Sequence, residues 1–214
     1  MVSAHTWIMC NLYSNTTTQD AMRGLFPDLI DRAGNLGEGT FYPNQLAPII
    51  RHAGSGLELV KARWGMPSPR FALKTQRDPG VTNVRNLASP HWRRWLEPAH
   101  RCLVPVTSFA EPGKGGNQWF ASAATAFPMF FAGIETRGWR SVRRVKDGET
   151  EDDLFAFLTC AANAEVGAVH PKAMPVILTR PEDWRIWLSA PLGIAKDLQR
   201  PLPDGSLVPC ENAV

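Results

Sequence analysis

Alternating apolar and polar residues through the middle of the chain predict a series of β-strands. The first covers Leu57–Trp64 and delivers the segment Trp64-Gly65-Met66-Pro67. The others cover residues 101–109, 117–121, 128–134, 139–146 and 153–160. Asp147-Gly148, a typical hairpin turn, separates the last two. Short strands in direct succession predict an antiparallel meander.

Helical spacing is confined to the flanks of these strands. A capping signal at Thr17 and the apolar positions after it predict a helix over residues 17–33, although Pro27 interrupts it. Ser89-Pro90 begins a short helix, and Pro181 begins a later one with acidic residues in its first turn. The Gly-, Pro- and Asn-rich segment 34–48 and the Pro-rich tail 201–209 predict loops.

Length and composition predict one domain. A chain of 214 residues with 44% hydrophobic content can bury a substantial core, and it contains no internal repeat or linker. We place the domain at residues 10–214, after a leader at residues 1–9. The net charge of +3 is compatible with a nucleic-acid partner and equally with many enzymes.

Several classes of protein are disfavoured by simple patterns. The longest apolar runs, such as Phe127–Ile134, have strand length and fall far short of the roughly 20 residues that span a bilayer. The first nine residues lack the features of a secretory signal, which predicts a cytoplasmic protein, nucleoid-associated when it binds DNA. The four cysteines form no Cys-x-x-Cys pair, so we expect no metal and no cofactor.

Cys10 is the first candidate for chemistry because Met9 directly precedes it. If Met9 is the true start and is removed, Cys10 carries an α-amine with a pKa of about 7.7 to 8.0 and a thiol with a pKa of about 8.5. The amine can condense with an aldehyde to an imine, and the thiol can close on that imine to a thiazolidine. The plainer alternatives are a loose N-terminal tail and a small buried cysteine at the start of a strand.

Three distant motifs supply further polar candidates. In Thr82-Asn83-Val84-Arg85, an amide can hold an amine and a guanidinium can grip a phosphate. Glu111 follows an apolar run and can shuttle protons if it is withdrawn from water. His170 is a natural proton carrier, and Lys172 beside it can meet a phosphate. Taken alone, each motif is more typical of an ordinary loop or strand end.

Basic and aromatic residues also interleave in His91–Trp95 and Arg137–Lys146. Such mixtures are typical of grooves that track a single strand. Trp92 and Trp95 are nevertheless better explained as core residues. Acidic residues directly after Lys146 predict an internally paired hairpin just as well.

In combination the motifs resemble those of the SRAP family, the SOS-response-associated peptidase or abasic-site processing proteins. The resemblance covers about Met9 to Pro203 and rests on Met9–Ser14, Arg63–Met66, Asn83–Arg85, Ser108–Glu111 and His170–Pro175. It implies a single α+β domain with a barrel-like, mainly antiparallel β core flanked by short helices. It also implies a positively charged groove for single-stranded DNA.

The resemblance assigns roles to individual residues. N-terminal Cys10 would form a thiazolidine cross-link with the ring-opened sugar of an abasic site, Asn83 would position its amine, and Glu111 would assist proton transfer. His170 would promote ring opening of the sugar and reversal of the cross-link. Arg85 matches a phosphate contact of the family, and Trp64 lies in its Trp-Gly motif beside the groove; with Lys172 they are our predicted DNA-binding residues. The expected partner is abasic single-stranded DNA, bound by a monomer.

Two departures and two alternatives remain open. Many members carry Gly-Arg directly after the cysteine, where this chain has Asn11-Leu12, so one phosphate contact is in doubt. The leader acylates the Cys10 amine and must be removed, by self-processing or by another peptidase. The alternatives are a thiol peptidase that uses Cys10, His170 and Asn83 or Asn163, and a non-covalent single-stranded DNA-binding module.

Overall fold

The computed structural model describes residues 10–54, 56–124 and 128–211, so the predicted leader at residues 1–9 lies outside the described part. Strands dominate it, and four short α-helices flank them. The helices are α1 (Gln19–Leu25), α2 (Ala164–Gly167), α3 (Pro181–Ser189) and α4 (Leu192–Ala195). The strands are β1 (Leu12–Asn15), β2 (Leu29–Asp31), β3 (Gly39–Phe41), β4 (Leu46–Ala53), β5 (Gly56–Trp64), β6 (Asn83–Val84), β7 (Arg101–Val106), β8 (Ser108–Gly113), β9 (Gly116–Ser122), β10 (Met129–Ser141), β11 (Thr150–Cys160), β12 (Met174–Pro175), β13 (Ile177–Leu178) and β14 (Leu207–Cys210).

The larger sheet closes on itself. Antiparallel pairing runs β5-β4-β7-β10-β11, and β11 then pairs with β5 in parallel, which completes a five-stranded ring. Closure removes the open sheet edges at which backbone groups would lack partners. The expected α+β domain with a barrel-like, mainly antiparallel core is confirmed.

A second antiparallel sheet, in the order β14-β9-β8-β1-β3, packs against the ring. Its link to the core is Tyr13, whose ring makes edge contacts with Trp64, Phe131 and Phe157 at centroid distances of 5.2, 5.6 and 6.2 Å. All four side chains are fully buried. Because β1 begins two residues after Cys10, this aromatic cluster fixes the start of the described chain against the barrel.

The predicted strands at 57–64, 117–121 and 153–160 correspond to β5, β9 and β11, and the helix at Pro181 is α3. Run 101–109 is divided into β7 and β8 at Thr107. The run 128–134 and the first three residues of the run 139–146 belong to one long strand, β10, with a bulge between Thr136 and Trp139, whereas residues 142–146 lie outside this strand. Asp147-Gly148 does separate β10 from β11, and Gly148 adopts a φ of 70° that favours glycine.

Three predictions were wrong. The helix over 17–33 ends at Leu25, and the apolar residues after Pro27 form β2, which pairs in parallel with β5. The predicted loop 34–48 contains β3 and the start of β4, and the tail contains β14, which pairs with β9. Within the described residues, no helix is long and apolar enough to cross a membrane.

Candidate active site around Cys10

Cys10 lies at the start of the second sheet and is 1% exposed. Antiparallel pairing of β1 with β8 sets Leu12 opposite Ala110, the residue before Glu111, so Cys10 enters the sheet beside the part of β8 that carries Glu111. Burial, and then the nearby Glu111 carboxyl, raise the pKa of the Cys10 thiol well above its ordinary value. The group is therefore a neutral thiol near pH 7, whose sulfur lies 3.7 Å from the Leu12 carbonyl oxygen.

Asn83 reaches Cys10 from the barrel. It is buried on β6, which pairs in parallel with β11. Its Nδ2 donates to the Cys10 carbonyl oxygen at 3.1 Å and to the Thr82 hydroxyl at 2.9 Å. Its Oδ1 is buried and has no hydrogen-bond partner among the described residues. The amide holds the Cys10 backbone and retains one free acceptor.

Glu111 is a buried carboxyl with no arginine or lysine partner among the described residues. It lies on β8, is 1% exposed, and neither of its oxygens makes a hydrogen bond of normal geometry with the described residues. Burial raises its pKa from 4.5 to about 8, because little surrounds the carboxylate to replace water. Most Glu111 side chains therefore carry a proton at neutral pH.

His170 approaches Glu111 from the loop after α2. Asn163 caps that helix by accepting from the Val166 backbone N–H at 3.2 Å, and the His170 backbone N–H donates to the Val166 carbonyl at 2.7 Å. The imidazole Nδ1 lies 3.1 Å from Ala173 O and 3.1 Å from Glu111 Oε2. A carbonyl only accepts, so Nδ1 carries a hydrogen, and the acceptor nitrogen of that tautomer is Nε2.

The strand that bears Glu111 also contacts this loop directly. A Cβ atom added at Gly113 on β8 would lie 3.0 Å from Cγ1 of Val169, closer than side chains normally approach. Glycine therefore allows β8 and the His170 loop to lie together. Cys10, Asn83, Glu111 and His170 form one cluster, although they come from four separate parts of the chain.

The predicted DNA-binding residues divide into two groups. Arg85 and Lys172 are exposed, and each lies two positions after a member of the cluster, Asn83 or His170. Trp64 is completely buried, and its Nε1 donates to the Thr82 carbonyl at 3.0 Å. The structure therefore assigns Trp64 to the core that supports Thr82 and Asn83, and we do not retain it as a DNA contact.

The interleaved basic and aromatic clusters are mostly accounted for within the fold. Trp92 and Trp95 are buried, as expected for core residues. On the β10–β11 hairpin, Arg140 pairs with Glu151 and Arg144 pairs with Asp147. Internal pairing thus explains much of the charge at residues 137–153.

Sequence reasoning missed an exposed segment close to the cluster. An isolated pairing of Met66 with Val81 closes the base of a loop, two residues before Asn83. The loop exposes Phe71 to 93%, among the exposed cations Arg70, Lys74 and Arg77. One aromatic residue among three cations was visible in the sequence, but the pairing that closes the loop was not.

Among the described residues, no group of three or more His, Cys, Asp or Glu side chains is arranged to hold a metal ion. Asn163, the alternative partner of a peptidase-like Cys10, is occupied as the cap of α2.

The fold and the cluster together define a class of protein: a closed barrel that presents a cysteine beside a protonated carboxyl and an imidazole. The profile of the family described as "SOS response associated peptidase (SRAP)" matches residues 9–210. The chain belongs to this family, which its name associates with the SOS response. No curated protein matches the chain.

Solved structures share the fold. A protein from Bordetella bronchiseptica is 24% identical with a TM-score of 0.69, over 95% of this chain and 100% of its own. A protein from Bacteroides thetaiotaomicron is 18% identical with a TM-score of 0.71, over 95% and 93%. A phage-related protein from Bordetella bronchiseptica is 20% identical with a TM-score of 0.64, over 95% of each chain.

Proposed function

We propose that the chain, once Cys10 is its N-terminal residue, captures abasic sites in single-stranded DNA as a covalent thiazolidine. The observation that carries the proposal is the convergence of Asn83, Glu111 and His170 on Cys10. Nothing about a buried structural cysteine requires a protonated carboxyl and an imidazole at that place. Imine chemistry with an aldehyde requires both an acid and a base.

The first step is attack of the Cys10 amine on the aldehyde carbon of the ring-opened sugar, which forms a carbon–nitrogen bond. Neutral Glu111 then donates its proton to the departing hydroxyl group, and water leaves with formation of the protonated imine, whose nitrogen keeps its one hydrogen. Its raised pKa of about 8 keeps this proton available at neutral pH. Asn83 supports the step by holding the Cys10 carbonyl, so the adjacent amine is oriented.

The second step is ring closure. The Cys10 sulfur adds to the carbon of the protonated imine, the thiol proton passes to the Glu111 carboxylate, and the nitrogen, which keeps its hydrogen, becomes a neutral amine. One water is released over the whole reaction. His170, with Nε2 as the acceptor nitrogen, takes the proton of the anomeric hydroxyl and passes it to the ring oxygen as the carbon–oxygen bond of the cyclic sugar breaks, and the same transfer runs backwards when the cross-link reverses.

Exposed cations near the cluster support a role in DNA binding. Arg85 and Lys172 flank the site, and the loop between Met66 and Val81 adds three cations and the exposed ring of Phe71. Cations neutralise phosphates, and an exposed aromatic ring stacks on an unpaired base. We assign the partner as single-stranded DNA bound by a monomer.

A peptidase acting in trans is less well supported. Thiol nucleophiles of peptidases have lowered pKa values and a histidine partner, whereas burial raises the pKa of the Cys10 thiol. His170 Nδ1 faces Glu111 and Ala173. We therefore restrict peptide cleavage to removal of the residues before Cys10, by the protein itself or by an aminopeptidase.

The test uses the full chain with a specific protease site placed before Cys10, either cut or uncut. Cut protein is incubated with single-stranded DNA that carries one abasic site, and adducts are separated under denaturing conditions. We expect an adduct only with cut protein and only with the abasic strand. No adduct with cut protein, or an undiminished one in Cys10→Ser, would reject the proposal.

A further inference from the structure

We propose that Asn11 is a positioning residue that sets the orientation of the Asn83 amide through Thr82. The inference rests on the proposed function, and it names a residue for which the family motifs provide no role. Three side chains form a chain of hydrogen bonds. Thr82 Oγ1 donates to Asn11 Oδ1 at 3.3 Å, and Asn83 Nδ2 donates to Thr82 Oγ1 at 2.9 Å.

The direction of this chain follows from the number of hydrogens. A threonine hydroxyl has one hydrogen, and Asn11 Oδ1 can only accept. With its hydrogen given to Asn11, Thr82 can only accept from Asn83, so it must face the NH₂ side of that amide. Without an acceptor at position 11, the hydroxyl is free to rotate and to donate to Asn83 Oδ1 instead.

The orientation matters because of what it leaves available. Asn83 has two N–H bonds, and Thr82 and the Cys10 carbonyl accept both. Its Oδ1 is buried with no partner among the described residues. Asn83 Oδ1 is therefore the acceptor that the site offers to a free Cys10 amine. If the Asn83 amide were flipped, its NH₂ group would face the Cys10 amine, and two donors would meet.

The backbone around Thr82 is held firmly. Its carbonyl accepts from Trp64 Nε1 at 3.0 Å and from the Phe157 backbone N–H at 3.4 Å. The backbone position of Thr82 is thus fixed, and its hydroxyl group can move mainly by rotation of the side chain. Asn11 lies next to Cys10 in the chain, so the hydrogen-bonded circuit returns to the residue whose amine it orients.

The circuit depends on the side chain at position 11. A glycine there would have no side chain to accept from Thr82. The pair Asn11-Leu12, which lacks one predicted phosphate contact, therefore supplies a hydrogen-bond acceptor to Thr82.

The experiment is a double-mutant cycle on the cut protein, with single-turnover cross-linking measured at saturating abasic DNA. We expect Asn11→Ala and Thr82→Val each to slow adduct formation about fivefold, the equivalent of one net hydrogen bond. Because Asn11 acts through Thr82, the double variant should be no slower than Thr82→Val. Affinity for an intact strand of the same sequence should not change.

Matched controls separate positioning from a general structural effect. Thr82→Ser keeps the hydroxyl and should restore the rate to within about twofold. Thr40→Val removes a hydroxyl that is 2.9 Å from Ser14 Oγ on β1, and it should leave the rate unchanged. Asn11→Gly also removes the acceptor and can replace Asn11→Ala in the cycle if that variant unfolds, and Thr82→Ala can likewise replace Thr82→Val. Independent, multiplying effects of the two positions would overturn the inference.

A second probe keeps this inference distinct from the proposed function. Glyoxylate, a small aldehyde, condenses with an N-terminal cysteine to a thiazolidine with loss of one water, which intact mass reveals. If cut protein fails to capture abasic DNA, the proposed function fails, and the same cycle is then measured with glyoxylate. Coupling between Asn11 and Thr82 in that assay supports the positioning role, and its absence rejects it.

Discussion

Glu111 and Glu135 are two buried carboxyls of one barrel protein with opposite surroundings. Glu135 on β10 is fully buried and lies 3.2 Å from Nη1 of Arg51 and 3.0 Å from Nε of Arg137. Glu111 is buried to almost the same degree and has no guanidinium partner among the described residues, so its pKa is raised to about 8. A buried carboxyl that pairs with cations contributes to the stability of the fold. A buried carboxyl without such partners keeps its proton and can act as an acid at neutral pH.

The largest expected difference concerns stability. Glu135→Gln removes the charge that Arg51 and Arg137 share, so we expect the free energy of unfolding to fall by about 3 kcal/mol. Glu111→Gln makes the same chemical change where no cation is lost, so stability at pH 7 should be equal or higher. Urea denaturation of both variants measures this. Equal destabilisation of the two would contradict the distinction.

The next effect concerns the reaction. Glu111→Gln removes the proton donor and should slow cross-linking by about 100-fold or more, whereas the folded fraction of Glu135→Gln should react at nearly the parent rate. Single-turnover gels with cut protein provide both rates. A parent-like rate in Glu111→Gln would exclude Glu111 as the acid.

The pH dependence of stability gives a third contrast, smaller for each pH unit than the first two. Glu111 holds its proton in the folded state up to a pKa of about 8, while the unfolded chain loses it near 4.5. The unfolded state thus binds fewer protons in this window, so the contribution of Glu111 to stability is complete below about pH 4.5 and is lost as pH rises to about 8. Within this window, Glu111 is expected to change the free energy of unfolding by about −1.4 kcal/mol per pH unit.

Because other groups also titrate, this slope is measured as the difference between the parent and Glu111→Gln across the window. Parallel stability curves for the two proteins would show that the Glu111 carboxyl is ionised in the folded state.

The smallest effect is expected at an exposed ion pair. Arg140 and Glu151 lie 2.9 Å apart, with side chains 70% and 57% exposed. Arg140→Met should leave the free energy of unfolding nearly unchanged, because water screens exposed pairs. A loss of stability comparable to that of Glu135→Gln would mean that the distance between two charges, rather than their burial, decides how much an ion pair stabilises the fold.

Local patterns predicted the barrel strands well, and the errors have identifiable causes. Pro43 and Pro48 suggested a loop, yet Pro48 lies in β4 opposite Lys61 of β5. The described pairing of β4 with β7 on the other edge does not reach Pro48, so proline, which has no N–H to donate, costs no hydrogen bond to β7. The apolar residues at 29 and 30 resembled a continuing helix, and only pairing with distant β5 makes them a strand.

The motifs likewise supplied the members of the candidate site but not its connections. Cys10, Asn83, Glu111 and His170 could be named from the sequence, whereas the bond from Asn83 to the Cys10 carbonyl spans 73 residues and depends on how two sheets pack. Trp64 shows the opposite case, since its motif suggested a DNA contact and its burial places it in the core. Burial decides the place of Trp64, and the partner groups separate Glu111 from Glu135; both are properties of packing.

The central claim is that one residue supplies both nucleophiles, and the state of the thiol in the adduct tests it most directly. The adduct of cut protein with abasic single-stranded DNA is denatured, treated with a thiol-alkylating reagent and digested, and the Cys10 peptide is analysed by mass spectrometry. We predict a DNA-bearing Cys10 peptide that has lost one water and resists alkylation. A DNA-bearing Cys10 peptide with an alkylated thiol, or DNA attached to a lysine, would contradict the account.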